Sequence, residues 1–235
     1  MATISYKNRF NKDYFEDLTW KHGQVLVGID EVGRGCLAGP VVAAAVILLP
    51  NKKSRLLKDS KLLGPEELQK GYSWLVKNSY YAWGMASTQE VDRLNIYHAS
   101  LKAMKRALMH LLAKCPLRPS KVIIDAMPLS LAKTAYEDID IFHFTSGEQK
   151  SSSIAAASII AKVTRDSLMQ RISPLFPAYS LAQHKGYGTK IHQDALSQHG
   201  FSLLHRHSFL EQKSSNQQQM TLFGQPNSTI LPEII

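Results

Sequence analysis

The sequence predicts an α/β fold, a mixed sheet flanked by helices, with a small helical region at its C-terminal end. Three observations predict it. Short runs rich in β-branched, aromatic and small apolar residues recur at 24–30, 41–49, 80–87, 121–125 and 139–144. Between them, apolar residues step by three and four, the period of an amphipathic helix. The leading three strands, followed by helix–strand–helix–strand, suit a sheet of mixed direction better than a purely parallel one.

Taken in order, Phe10, Tyr14, Phe15 and Leu18 at near-helical spacing predict a short leading helix over 7–20. The run 41–49 lies between Pro40 and Pro50 and is apolar throughout, as a strand covered on both faces must be. Pro65 opens a helix over 65–77, because its fixed φ and missing N–H suit the first helical turn. Ser87 with Glu90 forms a capping box, and Leu94, Tyr97, Leu101, Met104, Leu108 and Leu111 trace one apolar helical face behind it. His98, Lys102 and Lys105 fall on another face and suit a solvated surface. A strand at 121–125, a helix near 128–137 and a strand at 139–144 follow. A long helix then runs from Ile154 to about Arg171, its start (IAAASIIA) built of small residues that permit close approach to the sheet. Pro174 and Pro177 end it. The region beyond, to about Lys213, carries His184 to Thr189 (HKGYGT) and His205 to Phe209 (HRHSF).

The 235 residues are 44% hydrophobic, enough for one sizeable core. Lys plus Arg number 28 against 19 Asp plus Glu, and the net charge of +9 fits a polyanionic partner. Two cysteines, Cys36 and Cys115, without CxxC spacing argue against a disulfide framework or a zinc site and for a reducing cytosol. No apolar run approaches the ~20 residues of a membrane span, and the N-terminus has no signal-peptide core. A cytoplasmic monomer that engages no membrane is the expectation.

The chemistry concentrates at strand ends. Asp30 and Glu31 arrive together where the apolar run 24–30 stops, and Asp125 closes the run 121–125. Buried acids cost free energy unless something compensates them, and hard divalent cations want carboxylate oxygens. With no Cys/His cluster, the set points to Mg²⁺ or Mn²⁺ acting on phosphate esters. Beside the acid pair, Gly33-Arg34-Gly35 forms a turn able to present amides and a guanidinium to a phosphate or sugar. On these residues alone, a long hairpin turn with a surface arginine accounts for the stretch equally well.

Five blocks in order, GIDEVGRGCLAGPVV, DSK, IDAM, SSIAAASIIAKVTRD and HKGYGT, resemble ribonuclease HII, the type 2 ribonuclease H family. The resemblance runs from about residue 24 to 209. It implies a ribonuclease H-like fold and endonucleolytic hydrolysis of the RNA strand of RNA/DNA hybrids. It also implies cutting on the 5′ side of a ribonucleotide embedded in duplex DNA, with 3′-hydroxyl and 5′-phosphate products and two divalent cations. The family's metal-binding carboxylates fall on Asp30, Glu31 and Asp125. The fourth, usually an aspartate after glycine, falls on Glu148 in the pair Gly147-Glu148. Glutamate there is typical of the sister family, ribonuclease HIII, so a preference for long hybrids stays open as an alternative, and a non-catalytic hybrid-binding protein is the more distant one. Gly33, Arg34 and Gly35 match the family's sensor for the 2′-hydroxyl, and Tyr187 matches the tyrosine that stacks on the following deoxyribose. Ser60, Lys61, Lys162 and Arg165 are expected to hold phosphates. Asp166 is a second, weaker candidate for the fourth carboxylate, since its helical position beside Arg165 suits a structural ion pair.

From Ser214 the chain changes character, with the polar run SSNQQQ and no Lys or Arg, which predicts disorder. Within it Gln219, Met220, Leu222 and Phe223 resemble the short peptide by which bacterial proteins bind the DNA sliding clamp; Leu222 and Phe223 folding back onto the enzyme's own surface is the open alternative. The expected division is a helical lead-in (1–23), a catalytic domain (24–173), a helical substrate-binding region (174–213) and a tail (214–235).

Overall fold

A computed structural model describes residues 11–58 and 60–209, together with the backbone of Ile4–Ser5. Ile4–Ser5 forms a two-residue strand, β1. The lead-in helix α1 spans Tyr14–Lys21, so the expected start at residue 7 falls outside the described residues. Strands β2 (Leu26–Val32) and β3 (Val41–Leu48) pair antiparallel, with Gly28 opposite Val46 and Val32 opposite Val42. The acids therefore do not end β2. Asp30 and Glu31 sit inside its ladder, opposite Ala44 and Ala43, because two further residues continue the pairing past the apolar run.

Helix α2 (Pro65–Asn78) leads to β4 (Ser79–Ala86), which pairs antiparallel with β3. Helix α3 (Thr88–Lys114) opens on the predicted capping box, with Ser87 Oγ accepting from Glu90 N–H at 3.2 Å and Glu90 Oε2 accepting from Ser87 N–H at 3.0 Å. It is interrupted at Asn95, whose non-helical backbone lets its side chain cap the second segment by accepting from the N–H groups of Tyr97 and His98. Strands β5 (Lys121–Asp125) and β6 (Asp140–Phe144) add in parallel, completing a six-stranded sheet in the order β1-β6-β5-β2-β3-β4.

The helix expected near 128–137 is absent. Ala126 and Lys133 have positive φ, Pro128 supplies no N–H, and the segment is held by local turns such as Thr134 N–H to the Leu131 carbonyl at 3.2 Å. Leu129 and Leu131 still bury, but one at a time. Short helix α4 (Gly147–Lys150) carries Glu148, and α5 (Ser152–Ile172) follows at once.

Both faces of the sheet are covered. On one, Val27, Ile29, Val41 and Ile47 meet Met104, Leu108 and Leu111 of α3. On the other, Ala44, Val46 and Leu48 meet Ala155, Ile159 and Ile160 of α5 and Leu75 of α2. Burial of each such Leu or Ile contributes about 1.5–3 kcal/mol. Alternation along β3 therefore sends residues to two cores, which explains why all eight are buried. The small residues set the spacing at Gly28, where a Cβ would lie 2.2 Å from the Ser153 carbonyl carbon. Helix α5 therefore rides directly on the backbone of β2.

Beyond α5, helices α6 (Leu181–His184) and α7 (Lys190–His199) gather Tyr179, Leu181 and Ala195 around Met169 of α5 and Ala38 of the β2–β3 loop. No helix among the described residues is long and apolar enough to cross a membrane.

Candidate active site

Strand pairing delivers the first two acids. β2 and β5 run parallel in neighbouring positions with Ile29 opposite Ile124, so Asp30 and Asp125 come next along the two strands. Asp125 Oδ1 accepts from Gly147 N–H at 2.9 Å, which fixes the turn that opens α4 and carries Glu148. Carboxylate oxygens of Asp30, Asp125 and Glu148 all lie within 4.8 Å of one another. Glu148 thus joins the two aspartates as the resemblance requires. Glu31 does not belong to that group of three, and its Oε1 lies 3.2 Å from Nη1 of Arg34.

Asp30 and Glu148 are buried and Asp125 half-buried. Burial pushes the Asp30 carboxyl well above its ordinary range, and the charges of Glu31, Glu148 and Asp125 push the same way while a hydrogen bond from Ser158 opposes them. Burial raises Glu31 as well, against the pull of Arg34. The neighbouring carboxylates thus add to the cost of ionising Asp30, and a divalent cation would offset it. Three oxygen donors without thiolate or imidazole suit a hard cation, so the residues present fit one.

A 240 Å³ cleft runs past this group, lined by Asp30, Glu31, Ser60, Lys61, Lys162 and Tyr187. Lys61 is largely exposed, with Nζ 3.8 Å from Glu148 Oε1. The buried Ser60 hydroxyl lies 2.9 Å from that of Ser158, so it braces the cleft wall. Lys162 pairs with Asp166 at 2.9 Å and stands 5.6 Å above the Tyr187 ring, which gives Asp166 its expected ion pair, with Lys162 as the partner.

The glycine-rich loop and Tyr187 form one unit. Leu37 N–H donates to the Gly186 carbonyl at 2.8 Å, and the Tyr187 hydroxyl meets the Cys36 thiol. Gly33 has φ +91°, and a Cβ there would lie 2.3 Å from Arg165 Nε. Arg34 and Gly35 are exposed, and Tyr187 is 37% exposed, so its ring is open to solvent and not part of the core.

Arg165 is a correction. It is fully buried, donating from Nε to the Pro40 carbonyl at 2.9 Å, from Nη1 to Lys185 at 2.8 Å and from Nη2 to Ala38 at 3.0 Å. Its fork is committed to backbone, so it organises the loops instead of holding phosphate. Ser158, which sequence reasoning leaves unassigned, is the hydroxyl on Asp30. Its spacing from Lys162 and Arg165, four and seven residues, marks one face of α5 and is the signal that would have found it. Gln219, Met220, Leu222 and Phe223 lie outside the described residues.

The sequence profile of the ribonuclease HII family matches residues 27–212. Ribonuclease HII of Pelagibacter ubique is 45% identical over 186 residues, 79% of this chain and 96% of that protein. Among solved structures, ribonuclease HII in the PCNA:RNase HII complex of Archaeoglobus fulgidus superposes with a TM-score of 0.63 at 21% identity, covering 78% of this chain and 94% of that one. Bst-RNase HIII in complex with Mn²⁺ gives 0.61 at 22% identity, covering 83% and 70%. These two structures share the fold. The profile and the sequence relative go further: the chain belongs to the ribonuclease HII family and is a ribonuclease H, an endoribonuclease.

Proposed function

We propose that this ribonuclease H cuts on the 5′ side of ribonucleotides embedded in DNA, as well as within RNA/DNA hybrids, leaving 3′-hydroxyl and 5′-phosphate ends, with two Mg²⁺ or Mn²⁺ ions. The observation that carries the reading is the convergence of Asp30, Asp125 and Glu148 within 4.8 Å, with Asp30 and Tyr187 lining one cleft.

Asp30, Asp125 and Glu148 would hold the cations, with Glu31 completing the set from its place beside Asp30. Bound there, such cations would supply Lewis-acid stabilisation of charge on the phosphate and on the departing 3′-oxygen. The chain's own groups do the rest. The Ser158 hydroxyl favours the ionised form of Asp30. Lys61 and Lys162 draw the phosphate backbone to the cleft, and salt weakens that attraction. The Gly33–Gly35 backbone tests the ribose for its 2′-hydroxyl, the group that separates RNA from DNA. The Tyr187 ring packs on the next sugar, where the absence of a 2′-hydroxyl favours a junction.

The substrate-binding role belongs to residues 174–213 and the catalytic role to 24–173. We place the protein in the cytoplasm as a monomer. In the tail, Gln219, Met220, Leu222 and Phe223 are a proposed docking peptide for a DNA sliding clamp, and the Archaeoglobus enzyme's complex with PCNA lends that reading support.

Asp125→Asn tests the proposal. Cleavage should fall at least ~100-fold while duplex affinity holds within about threefold, because the substitution removes a ligand charge and leaves the substrate loop intact. Undiminished cleavage would refute the assignment.

A further inference from the structure

The segment from His205 to Phe209 has no part in the chemistry above, yet it packs directly beneath the glycine-rich loop. Arg206 is fully buried. Its Nε and Nη2 donate to the Gly39 carbonyl at 3.0 and 2.8 Å, and its Nη1 donates to the Arg34 carbonyl at 2.9 Å. Its own backbone N–H donates to the Leu37 carbonyl at 2.9 Å, and Gly39 N–H donates to Leu204 at 2.8 Å. One guanidinium thus ties the middle of the loop to its exit. Burial lowers Arg206 to about 10, so it stays charged at neutral pH.

The geometry of the peptide bond turns this anchorage into a statement about recognition. The Arg34 carbonyl and the Gly35 N–H belong to one planar trans peptide and point in opposite directions. A carbonyl drawn inward to Arg206 leaves that N–H directed away from the protein interior. Gly35 is exposed, and a Cβ built on it would meet nothing within 4 Å, so the residue borders open space that a ligand can enter. Lysine cannot reproduce the arrangement, because a single ammonium has no planar fork to bridge two carbonyls at fixed directions.

We propose that Arg206 is a positioning residue for ribose discrimination, holding the Arg34 carbonyl inward so that the Gly35 N–H is presented to the substrate's 2′-hydroxyl. The inference rests on the proposed reading of the glycine-rich loop as the ribose sensor.

The test measures Kd in EDTA, where no cleavage intervenes, for two DNA duplexes differing by one 2′-hydroxyl. In wild type the ribonucleotide duplex binds more tightly. In Arg206→Lys that preference should shrink by roughly threefold or more, the worth of one hydrogen bond, while affinity for the all-DNA duplex changes less than about twofold. A folded variant with an unchanged preference, or one weakened equally on both duplexes, overturns the proposal, since a merely structural role would act on both alike. Wild type with no preference sinks the ribose reading itself, which is a separate failure. A measurement that needs no variant follows the Gly35 amide resonance of ¹⁵N-labelled wild type. It should move more on adding the ribonucleotide duplex than the all-DNA duplex, and equal movement overturns the proposal.

Discussion

Glu16 on α1 lies ahead of the residues matched by the family profile, and the structure makes it a support of the catalytic turn. It is fully buried, and its Oε1 accepts from Ser151 Oγ at 2.5 Å and from Ser153 N–H at 2.9 Å, at the start of α5. Asp13 completes the clasp, its N–H donating to the Lys150 carbonyl at 2.8 Å and its Oδ1 accepting from Ser152 N–H at 2.8 Å. Negative charge at a helix N-terminus is favourable in its own right. Glu16→Ala strips an acceptor from two buried donors, each costing about 1–3 kcal/mol unpaired, so a loss of roughly 4 kcal/mol is expected. Glu16→Gln keeps an oxygen for both donors and removes a charge that burial disfavours, burial being the main cause that raises this carboxyl, so its loss should be near 1 kcal/mol. Urea denaturation followed by far-UV circular dichroism measures both. Because the clasp holds the turn that carries Glu148, Glu16→Ala should also raise the Mg²⁺ concentration for half-maximal cleavage several-fold, with Glu16→Gln close to wild type. Glu16→Ala within about 1 kcal/mol of wild type at an unchanged Mg²⁺ requirement would refute this reasoning, and so would Gln behaving as badly as Ala.

Two further perturbations separate scaffold from recognition. Gly35→Ala meets no protein atom, so its melting temperature should match wild type while cleavage of a single embedded ribonucleotide falls tenfold or more, on the order of one lost close approach. Gly33→Ala, strained at φ +91° and only 2.3 Å from Arg165, should instead cost roughly 2–4 kcal/mol of stability, and equal behaviour of the two variants would contradict the distinction. The buried His205 ring is lowered to about 4 by burial and then by the charge of His192, whose Nε2 lies 3.0 Å from its own. The unfolded chain, titrating near 6.5, therefore binds the proton first, and stability is full above that pH and drains as pH falls toward 4. By pH 5 the loss should be about 2 kcal/mol, read as the pH slope of urea midpoints that His205→Gln flattens; an equal slope in the variant would contradict it.

The parts of the fold that local chemistry dictates were legible. β5 ends at Asp125 as its apolar run does, and Ser87 and Glu90 cap α3 through short-range bonds. β2 starts and ends two residues later than expected because its pairing with Ala43 and Ala44 carries two carboxylates into the ladder, which hydrophobicity alone does not show. The segment after Asp125 offered apolar residues at plausible spacing, but Pro128 and two positive-φ residues turn it into successive turns. Asp30, Asp125 and Glu148 converge because strand register sets the two aspartates side by side and the turn at Gly147, held by Asp125, carries the glutamate. The role of Arg165 is hidden in the sequence for a physical reason. A basic residue looks the same in sequence whether it meets phosphate or backbone carbonyls, and its partners Ala38 and Pro40 lie more than a hundred residues away. Arg206 and Glu16 escaped for the same reason.

The most direct test of the central claim uses a labelled DNA duplex with one ribonucleotide beside an all-RNA/DNA hybrid, each incubated with Mg²⁺ and with EDTA. One Mg²⁺-dependent cut on the 5′ side of the lone ribonucleotide, abolished by EDTA, is expected, together with cutting of the hybrid. Cleavage of the long hybrid alone, or cleavage that persists in EDTA, would contradict it.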